Sequence, residues 1–403
     1  MYLSLDDLEI KNKLVGVRID LNSPVINGKI VLNERFYRHS KTIKELVSLN
    51  NRVILFTHQG RKGKKDYMSS LEQHAKLLSK VLGFEVYYFD GLIEDEAIDF
   101  IKNLEPGEVV LMKNLRHYDF ETKKDLVFSN PFIRIYSSLL DYYVLDAFSV
   151  AHRKHSSVVG FKDKLINIAG RLFEEELINT LKLKNAEERP SIYILGGEKV
   201  EDLIDLIIYS FENNTVNKII TTGFLSVLAL EAAGFETNDE RIGKDHKKII
   251  EILEKYLDHL EIPSDVAINF NGKRRDIKIE KLKNYEGVEI LDIGKNTIKE
   301  YKRLIKHSKT IYIKGPTGFF EDPRFALGTK ELLKAIIENE KAFRFIGGGH
   351  ISSALKEFFP NIKNSENFYI SVSGGAVVKF LSGNTIPALE ALKSSYIRFL
   401  SKN

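Results

Sequence analysis

The stretch RVILFT at residues 52–57, followed by LEQHAKLLSKVL at residues 71–82, decides the fold class. The first is a short apolar run of the kind found in buried strands. In the second, apolar residues recur at spacings of three and four from Leu71 to Leu82, so one stripe can lie on a sheet. Gly83 then ends the helix. The pair predicts one strand and helix of a parallel sheet covered by helices.

The same alternation of apolar runs and helical stretches continues through both halves of the chain. In the first half the other predicted strands lie at residues 14–19, 85–89, 108–112 and 142–145. In the second half they lie at residues 191–195, 217–221, 265–270, 310–314, 342–346 and 368–372. We therefore expect an α/β protein with two doubly wound, mainly parallel-sheet domains and a cleft between them.

A polar helical stretch at residues 171–188, ended by Arg189 and Pro190, predicts a rigid connector or hinge between the domains. The predicted N-terminal domain spans residues 1–170 and the C-terminal domain residues 189–386. A final helical segment occupies residues 387–403, with its helix at about 387–400.

Composition excludes several classes of protein. The 403 residues exceed what one core usually supports, and 43% hydrophobic residues suffice for two cores. Sixty Lys and Arg against 56 Asp and Glu leave a net charge of only +4, which argues against a nucleic-acid partner. No apolar run approaches the roughly 20 residues that span a bilayer, so we expect no membrane role. The absence of cysteine fits a reducing, cytoplasmic setting.

Anion-binding side chains follow the predicted strands of the first half. Ligands of parallel sheets bind beyond the carboxyl ends of the strands. The residues found there are Asp20, Asn22, His58, Arg61, Arg116, His152 and Arg153. Arginine forks match phosphate and carboxylate oxygens, so this pattern suits a small ligand that carries both groups. Each residue alone could be a solvated surface group, but their repetition at successive strand ends favours a site.

Glycines follow the strands of the second half. They are Gly196, Gly197, Gly223, Gly315, Gly318, the run Gly347, Gly348 and Gly349, and Gly374 with Gly375. Glycine lets backbone N–H groups approach phosphates, and a following helix adds a favourable dipole. Simple strand-to-helix turns are the alternative for any one pair. The pattern predicts a nucleotide lobe that uses neither a P-loop nor a dinucleotide fingerprint, because neither motif occurs.

Eight segments in succession resemble the motifs of the phosphoglycerate kinase family, in that family's order. They are VRIDLNSPV (17–25), THQGRKGK (57–64), KNLRHY (113–118), DAFSVAHRKHSS (146–157), ILGGEKVEDL (194–203), KGPTGFFE (314–321), GGGHISSAL (347–355) and SGGA (373–376). The resemblance covers nearly the whole chain. It implies a glycolytic enzyme that moves a phosphoryl group between ATP and the carboxylate of 3-phosphoglycerate, with Mg²⁺ as cofactor. It also implies that the C-terminal helix packs back on the N-terminal domain.

The resemblance implies two sets of site residues. The N-terminal domain would bind 3-phosphoglycerate through Asp20, Asn22, Arg35, His58, Arg61, Arg116 and Arg153. The C-terminal domain would bind ATP or ADP through Gly196, Gly197, Lys199, Lys314, Glu321, Gly347, Gly348, Gly349 and His350. Arg35 and Lys199 would be the catalytic residues, and the metal ligands stay unassigned.

Several positions depart from the family's common pattern, among them Thr221, Thr222 and Ser373, which stand where the family has glycines, and three more bear on phosphate and metal binding. Leu203 stands where many members have a lysine, Lys314 replaces an asparagine, and His350 replaces an aspartate associated with magnesium. We expect Leu203 to share a helical face with Lys199. Lys314 could restore the charge that the leucine removes, or it could point into solvent and leave that charge unreplaced. We also expect magnesium to be held by nucleotide phosphates and water.

Two other classes of function stay open at this point. A regulatory nucleotide-binding protein could have kept the fold while the three departures abolished transfer. A nucleic-acid binder has little support, because the chain lacks an aromatic and basic RNA motif. The expected partners are the small-molecule substrates, and the expected state is a monomer, with a dimer as the alternative.

Overall fold

The computed structural model describes residues 1–401 and divides into two compact units. The first comprises Met1–Ile178 and the chain from Thr385 onward, and the second comprises Asn179–Asn384. The last two residues of the predicted segment 387–403 lie outside the described residues. Within the described part, no helix has both the length and the apolar composition needed to cross a membrane.

The first unit is built on a six-stranded sheet in which every neighbouring pair is parallel. Its strands are β1 (Leu14–Arg18), β2 (Val25–Ile26), β3 (Lys29–Ile30), β4 (Arg52–Phe56), β5 (Tyr87–Phe89), β6 (Val109–Met112), β7 (Tyr142–Leu145) and β8 (Ile166–Ala169). The sheet order is β5-β6-β4-β1-β7-β8, and β2 and β3 form a separate antiparallel hairpin. Strand β1 is buried along its whole length because helices cover both faces of the sheet.

The helices of the first unit begin and end at residues that suit those positions. They are α1 (Glu34–Ser48), α2 (Glu72–Leu82), α3 (Asp95–Lys102), α4 (Pro131–Leu139), α5 (Ser156–Val159) and α6 (Arg171–Lys184). Asn33 caps α1 by accepting a 3.0 Å hydrogen bond from the Arg35 backbone N–H. Gly83 ends α2 with φ 84°, a left-handed conformation that favours glycine. The predicted helix at residues 71–82 is confirmed, except that it begins one residue later, at Glu72.

The second unit holds two sheets. Its strands are β9 (Ser191–Leu195), β10 (Lys218–Thr221), β11 (Leu260–Glu261), β12 (Asp265–Phe270), β13 (Lys273–Lys278), β14 (Ile290–Ile293), β15 (Thr310–Lys314), β16 (Phe343–Gly347) and β17 (Phe368–Ser371). The main sheet is parallel throughout, in the order β11-β10-β9-β15-β16-β17. The smaller sheet, β13-β12-β14, is antiparallel, so the predicted strand at 265–270 exists but lies outside the parallel sheet.

Helices cover the main sheet of the second unit. They are α7 (Glu201–Glu212), α8 (Gly223–Ala232), α9 (Lys247–Glu254), α10 (Lys295–His307), α11 (Leu327–Glu338), α12 (Gly349–Phe358) and α13 (Gly374–Leu381). Isoleucines of the central strands, such as Ile194 and Ile313, pack with Leu332 and Ile351 in the main core of this unit. The predicted class, two α/β domains with mainly parallel sheets, is confirmed.

The division into two units cuts through the predicted connector and assigns the C-terminal helix to the first unit. Helix α6 ends at Lys184, before the predicted end at residue 188, and the boundary between the units falls inside it. Helix α14 (Pro387–Leu400) belongs to the first unit. It lies against β8 and α5, where the Ala388 N–H donates to the Ala151 carbonyl at 3.0 Å. Buried Ser395 accepts a 2.9 Å hydrogen bond from the Asn167 N–H.

Candidate functional site

A buried carboxylate, Asp20, lies just beyond the carboxyl end of β1. Its Oδ2 atom is 2.5 Å from Nη1 of Arg35 and accepts a second hydrogen bond from the Ser149 hydroxyl. Its Oδ1 atom accepts the Asn22 N–H at 3.0 Å. Burial alone would raise the pKa of Asp20, but the charge of Arg35 leads the opposing effects and holds that pKa below its ordinary value. Asp20 is therefore an anion that fixes Arg35.

Arg35 reaches this carboxylate from the first turn of α1. Its backbone is held by the Asn33 cap, and Nη1 also donates to the Asn22 carbonyl at 3.2 Å. The Arg35 side chain is partly buried, with an exposed fraction of 25%. The arrangement orients a partly exposed guanidinium, which suits the binding of a carboxylate or a phosphoryl group.

His58 follows β4 and is buried beside the same carboxylate. Its Nδ1 atom lies 3.8 Å from Oδ1 of Asp20 and 3.1 Å from Nη2 of Arg18. Burial, together with the positive charges around it, holds the pKa of His58 well below its ordinary value. His58 is therefore a neutral imidazole at neutral pH.

The remaining predicted arginines form a cationic group next to His58. Arg116 follows β6 in a short 3₁₀ turn and donates to the Gly60 carbonyl, while the Gly60 N–H donates to Oδ1 of Asn22 at 2.8 Å. Burial, and then the charge of Arg153, lowers the pKa of Arg116 to about 10. Burial, and then the charge of Arg61, lowers the pKa of Arg153. These lowered pKa values indicate that the cations lie close enough to repel one another. An anionic ligand bound between them would relieve that repulsion.

The structure thus brings together every residue of the predicted acid-binding set. They meet because β1, β4, β6 and β7 lie side by side in the sheet, so their carboxyl ends share one edge. Sequence reasoning missed Ser149 and Arg18, which also belong to this group. Arg18 could have been found, because a charged residue inside the apolar run of β1 needs a buried partner.

In the second unit, the carboxyl ends of β9 and β15 are joined by backbone hydrogen bonds. The Gly196 N–H donates to the Lys314 carbonyl at 2.8 Å, and the Gly197 N–H donates to the Pro316 carbonyl at 3.1 Å. An added Cβ at Gly315 would lie 2.2 Å from the Gly196 carbonyl oxygen. The expectation that Gly196 and Gly197 offer their N–H groups to a phosphate therefore needs correction. In this structure those groups hold two loops together, and the glycines permit the close approach.

Two helices, α12 and α13, begin farther along the sheet with glycine-rich backbone. Gly348, with φ 112°, precedes α12, and the first N–H groups of that helix have no carbonyl one turn back to receive them. Gly374 opens α13, and an added Cβ there would lie 2.6 Å from the Gly348 Cα atom. Two helix N-termini therefore meet at this point, and their dipoles both favour a negative ligand.

Lys199 and Lys314 lie at the same edge as these glycines. Lys199 is exposed in the loop before α7, and Lys314 ends β15 with its side chain half-buried. Burial lowers the pKa of Lys314, the charge of Lys199 lowers it further, and the charge of Asp202 opposes both. Lys314 therefore lies within electrostatic reach of Lys199, and it does not point into open solvent.

The predicted pairing of Leu203 with Lys199 is wrong. Helix α7 begins at Glu201, so Lys199 precedes it and the two residues do not share a helical face. Leu203 is fully buried, with 0% of its surface exposed, and serves as a core residue of the second unit. The prediction placed the start of α7 too early, because the residues after Gly197 form a loop before the helix begins.

Glu321 and His350 are both exposed, in the loop after β15 and in the first turn of α12. Among residues 1–401 there is no group of three or more His, Cys, Asp or Glu side chains arranged to hold a metal ion. The donors at the start of α12 are N–H groups and one imidazole, which do not match the oxygen ligands that magnesium prefers.

Comparisons with known proteins show the family of the chain. Residues 5–384 match the family described as phosphoglycerate kinase. The phosphoglycerate kinase of Methanothermus fervidus is 39% identical over 407 residues, covering 98% of this chain and 97% of that protein. That of Saccharolobus solfataricus is 38% identical, covering 98% and 97%. The crystal structure of phosphoglycerate kinase from Pyrococcus horikoshii OT3 superposes with a TM-score of 0.88 at 32% identity, covering 98% of this chain and 99% of that one. The chain belongs to the phosphoglycerate kinase family.

Proposed function

We propose that this protein catalyses reversible phosphoryl transfer between ATP and the carboxylate of 3-phosphoglycerate, giving ADP and 1,3-bisphosphoglycerate. The observation that carries the proposal is the pair of buried Asp20 and partly exposed Arg35, set among further arginines at the carboxyl edge of the first sheet. Such a group suits a ligand with a carboxylate at one end and a phosphate at the other.

In this proposal Arg35 faces the reacting carboxylate. Asp20 keeps the guanidinium in place, so Arg35 can stabilise the charge that develops during transfer without reorganising. The phosphate end of the substrate is held by His58, Arg61, Arg116 and Arg153. The acceptor carboxylate is already ionised, so the reaction needs positioning and charge stabilisation and no general base.

The nucleotide is proposed to bind along the carboxyl edge of the second sheet. The N-terminus of α12, from Gly348 to His350, receives phosphate oxygens through its backbone N–H groups. Lys199 and Lys314 add positive charge at the same edge, and Lys199 is the proposed catalytic lysine beside the transferred group. Glu321 is the proposed contact to the ribose.

Magnesium is proposed to bind with the nucleotide. The donor set described above does not fit a metal held mainly by side chains. We therefore expect phosphate oxygens and water to be its ligands, with His350 acting only through its place at the start of α12.

Transfer also requires water to be excluded, because a misplaced phosphoryl group would be hydrolysed. The acid-binding residues belong to the first unit and the nucleotide-binding residues to the second. We therefore propose a closing motion, with α6 as the hinge. The proposed setting is cytoplasmic glycolysis or gluconeogenesis, and the proposed working form is a monomer.

A coupled assay tests this function. Purified protein with Mg·ATP and 3-phosphoglycerate should produce 1,3-bisphosphoglycerate, detected as NADH oxidation by an added glyceraldehyde-3-phosphate dehydrogenase. A reaction without 3-phosphoglycerate controls for background NADH oxidation. Nucleotide binding without any product above that control would instead support the regulatory alternative.

A further inference from the structure

We propose that Arg18 is a positioning residue that holds His58 as the neutral tautomer with its proton on Nε2. His58 then enters the acid-binding site as an uncharged hydrogen-bond donor, whereas the arginines around it act as cations. The inference rests on the proposed function, because it assigns a role within the same site.

Arg18 is almost fully buried, with 1% of its surface exposed, although it ends a strand of the central sheet. Its Nε atom donates to the Ser157 hydroxyl at 2.8 Å, and Nη1 donates to the carbonyls of Ile19 and Phe56. These bonds leave Nη2 aimed at Nδ1 of His58, 3.1 Å away. A guanidinium held on three sides has little freedom to turn away from the imidazole.

A buried anion stabilises this cation. The Ser157 hydroxyl donates to Oε1 of Glu121 at 2.6 Å, and the Ser157 N–H donates to Oε2 at 3.0 Å. Glu121 is 1% exposed, and although burial opposes its ionisation, neighbouring hydrogen bonds and charges lower its pKa. A chain of buried groups therefore runs from Glu121 through Ser157 and Arg18 to His58.

The chemistry of arginine determines the tautomer. A guanidinium has only donors, so Nδ1 of His58 must accept and cannot carry the proton. The neighbouring Asp20 carboxylate is 3.8 Å from the same nitrogen, which is beyond hydrogen-bond distance. The proton of the neutral ring is therefore on Nε2, the nitrogen left to meet a ligand.

The charges facing His58 agree with a neutral ring. Arg18, Arg116 and Arg153 disfavour an imidazolium, and the nearby Asp20 carboxylate favours one. A further positive charge in this group would add little favourable binding energy, since the cations already repel one another. A neutral donor adds a directed hydrogen bond to a phosphate oxygen without adding to that repulsion.

Nitrogen-15 NMR of the imidazole tests the tautomer without using activity. In the wild-type protein we expect a protonated Nε2, an unprotonated Nδ1, and no titration of His58 between about pH 5.5 and 8, a range that brackets the ordinary histidine pKa. A proton on Nδ1, or an imidazolium at pH 7, would overturn the inference even if the enzyme is fully active.

The Arg18→Met variant removes the donor. With Arg18 absent and Asp20 nearby, the pKa of His58 should rise, so the ring should titrate within that pH range. The KM for 3-phosphoglycerate should rise on the order of tenfold and become pH-dependent, with a smaller change in kcat. Arg344→Met is the matched control, since Arg344 is also buried but lies in the second unit. An unchanged His58 spectrum in Arg18→Met would refute the proposal.

A second pair of variants serves if Arg18→Met does not fold. Glutamine at position 58 can place its amide N–H near the position of Nε2, whereas asparagine places it near Nδ1. His58→Gln should therefore keep the KM for 3-phosphoglycerate within a few fold of wild type, and His58→Asn should raise it about tenfold. The reverse order would show that His58 donates through Nδ1 and that the proposal is wrong.

Discussion

Replacing Arg35 with alanine should affect both the rate and the stability of the enzyme. Arg35 is the guanidinium that Asp20 holds at 2.5 Å, and it is the group proposed to face the reacting carboxylate. The loss of such a charged contact in the transition state costs about 2 to 4 kcal/mol, or on the order of a hundredfold in kcat. Nucleotide affinity should stay near wild type, because the proposed nucleotide-binding residues lie in the other unit.

The stability effect follows from the carboxylate that the substitution leaves behind. Asp20 is 3% exposed and would keep only the bonds from Ser149 and Asn22. Removing one partner of a buried ion pair costs about 3 kcal/mol or more, and the partial exposure of Arg35 places the expected loss at the lower end.

The pH dependence of that loss has a definite sign. The folded-state pKa of Asp20 lies below its value in the unfolded chain. Its contribution to stability is therefore present above about pH 4 and is lost as the pH falls through the folded pKa. In Arg35→Ala the pKa of Asp20 should rise, so the difference in unfolding free energy from wild type should be full at pH 7 and shrink below about pH 4.

Urea denaturation across this pH range and steady-state kinetics at pH 7 provide the two measurements. Arg241→Ala is a matched control, because Arg241 is 26% exposed and lies 2.6 Å from buried Asp239 in the second unit. It should lose stability while keeping most of its kcat. If kcat falls equally in both variants, or not at all in Arg35→Ala, the role given to Arg35 is wrong.

Four further substitutions test the account. Arg61→Ala should raise the KM for 3-phosphoglycerate about tenfold with little change in kcat, and an effect on the KM for ATP alone would contradict its placement. Leu203→Lys should lower the unfolding free energy by about 3 kcal/mol or more in urea denaturation, because it buries a charge in the core, and a neutral result would restore the surface interpretation. Lys314→Asn should weaken ATP more than ADP in calorimetric titrations, and two unchanged affinities would remove Lys314 from the site. His350→Ala should leave the magnesium dependence of kcat unchanged, and loss of that dependence would identify it as a ligand.

Most strands of the two parallel sheets were predicted, because burial on both faces makes them continuous apolar runs, but the edge strands β8 and β11 were missed. The predicted strand at 191–195 coincides with β9, and that at 52–57 exceeds β4 by one residue. Strand β13 was missed because its sequence, KRRDIK, is charged and mostly exposed at the edge of the small sheet. Its strand conformation depends on pairing with β12, a tertiary contact that no local pattern records.

The parts of the candidate site that consist of side chains following strands could be predicted from the sequence. The parts that depend on backbone N–H groups could not. Asp20, His58 and Arg116 were placed correctly at one edge because parallel strands align their carboxyl ends. The N–H groups of Gly196 and Gly197 were assigned to phosphate, but they donate to neighbouring carbonyls. Only the folded chain shows which backbone donors remain for a ligand.

The most direct test of the central claim is trapping of the acyl phosphate product. Purified enzyme, Mg·ATP labelled in the γ-phosphate and 3-phosphoglycerate should yield a labelled product that hydroxylamine converts to a hydroxamate, with release of labelled phosphate. The account predicts this product with the wild-type protein, and on the order of a hundredfold less in the same time with Arg35→Ala. Labelled phosphate that appears equally with and without 3-phosphoglycerate, and no hydroxamate, would contradict phosphoryl transfer to the carboxylate.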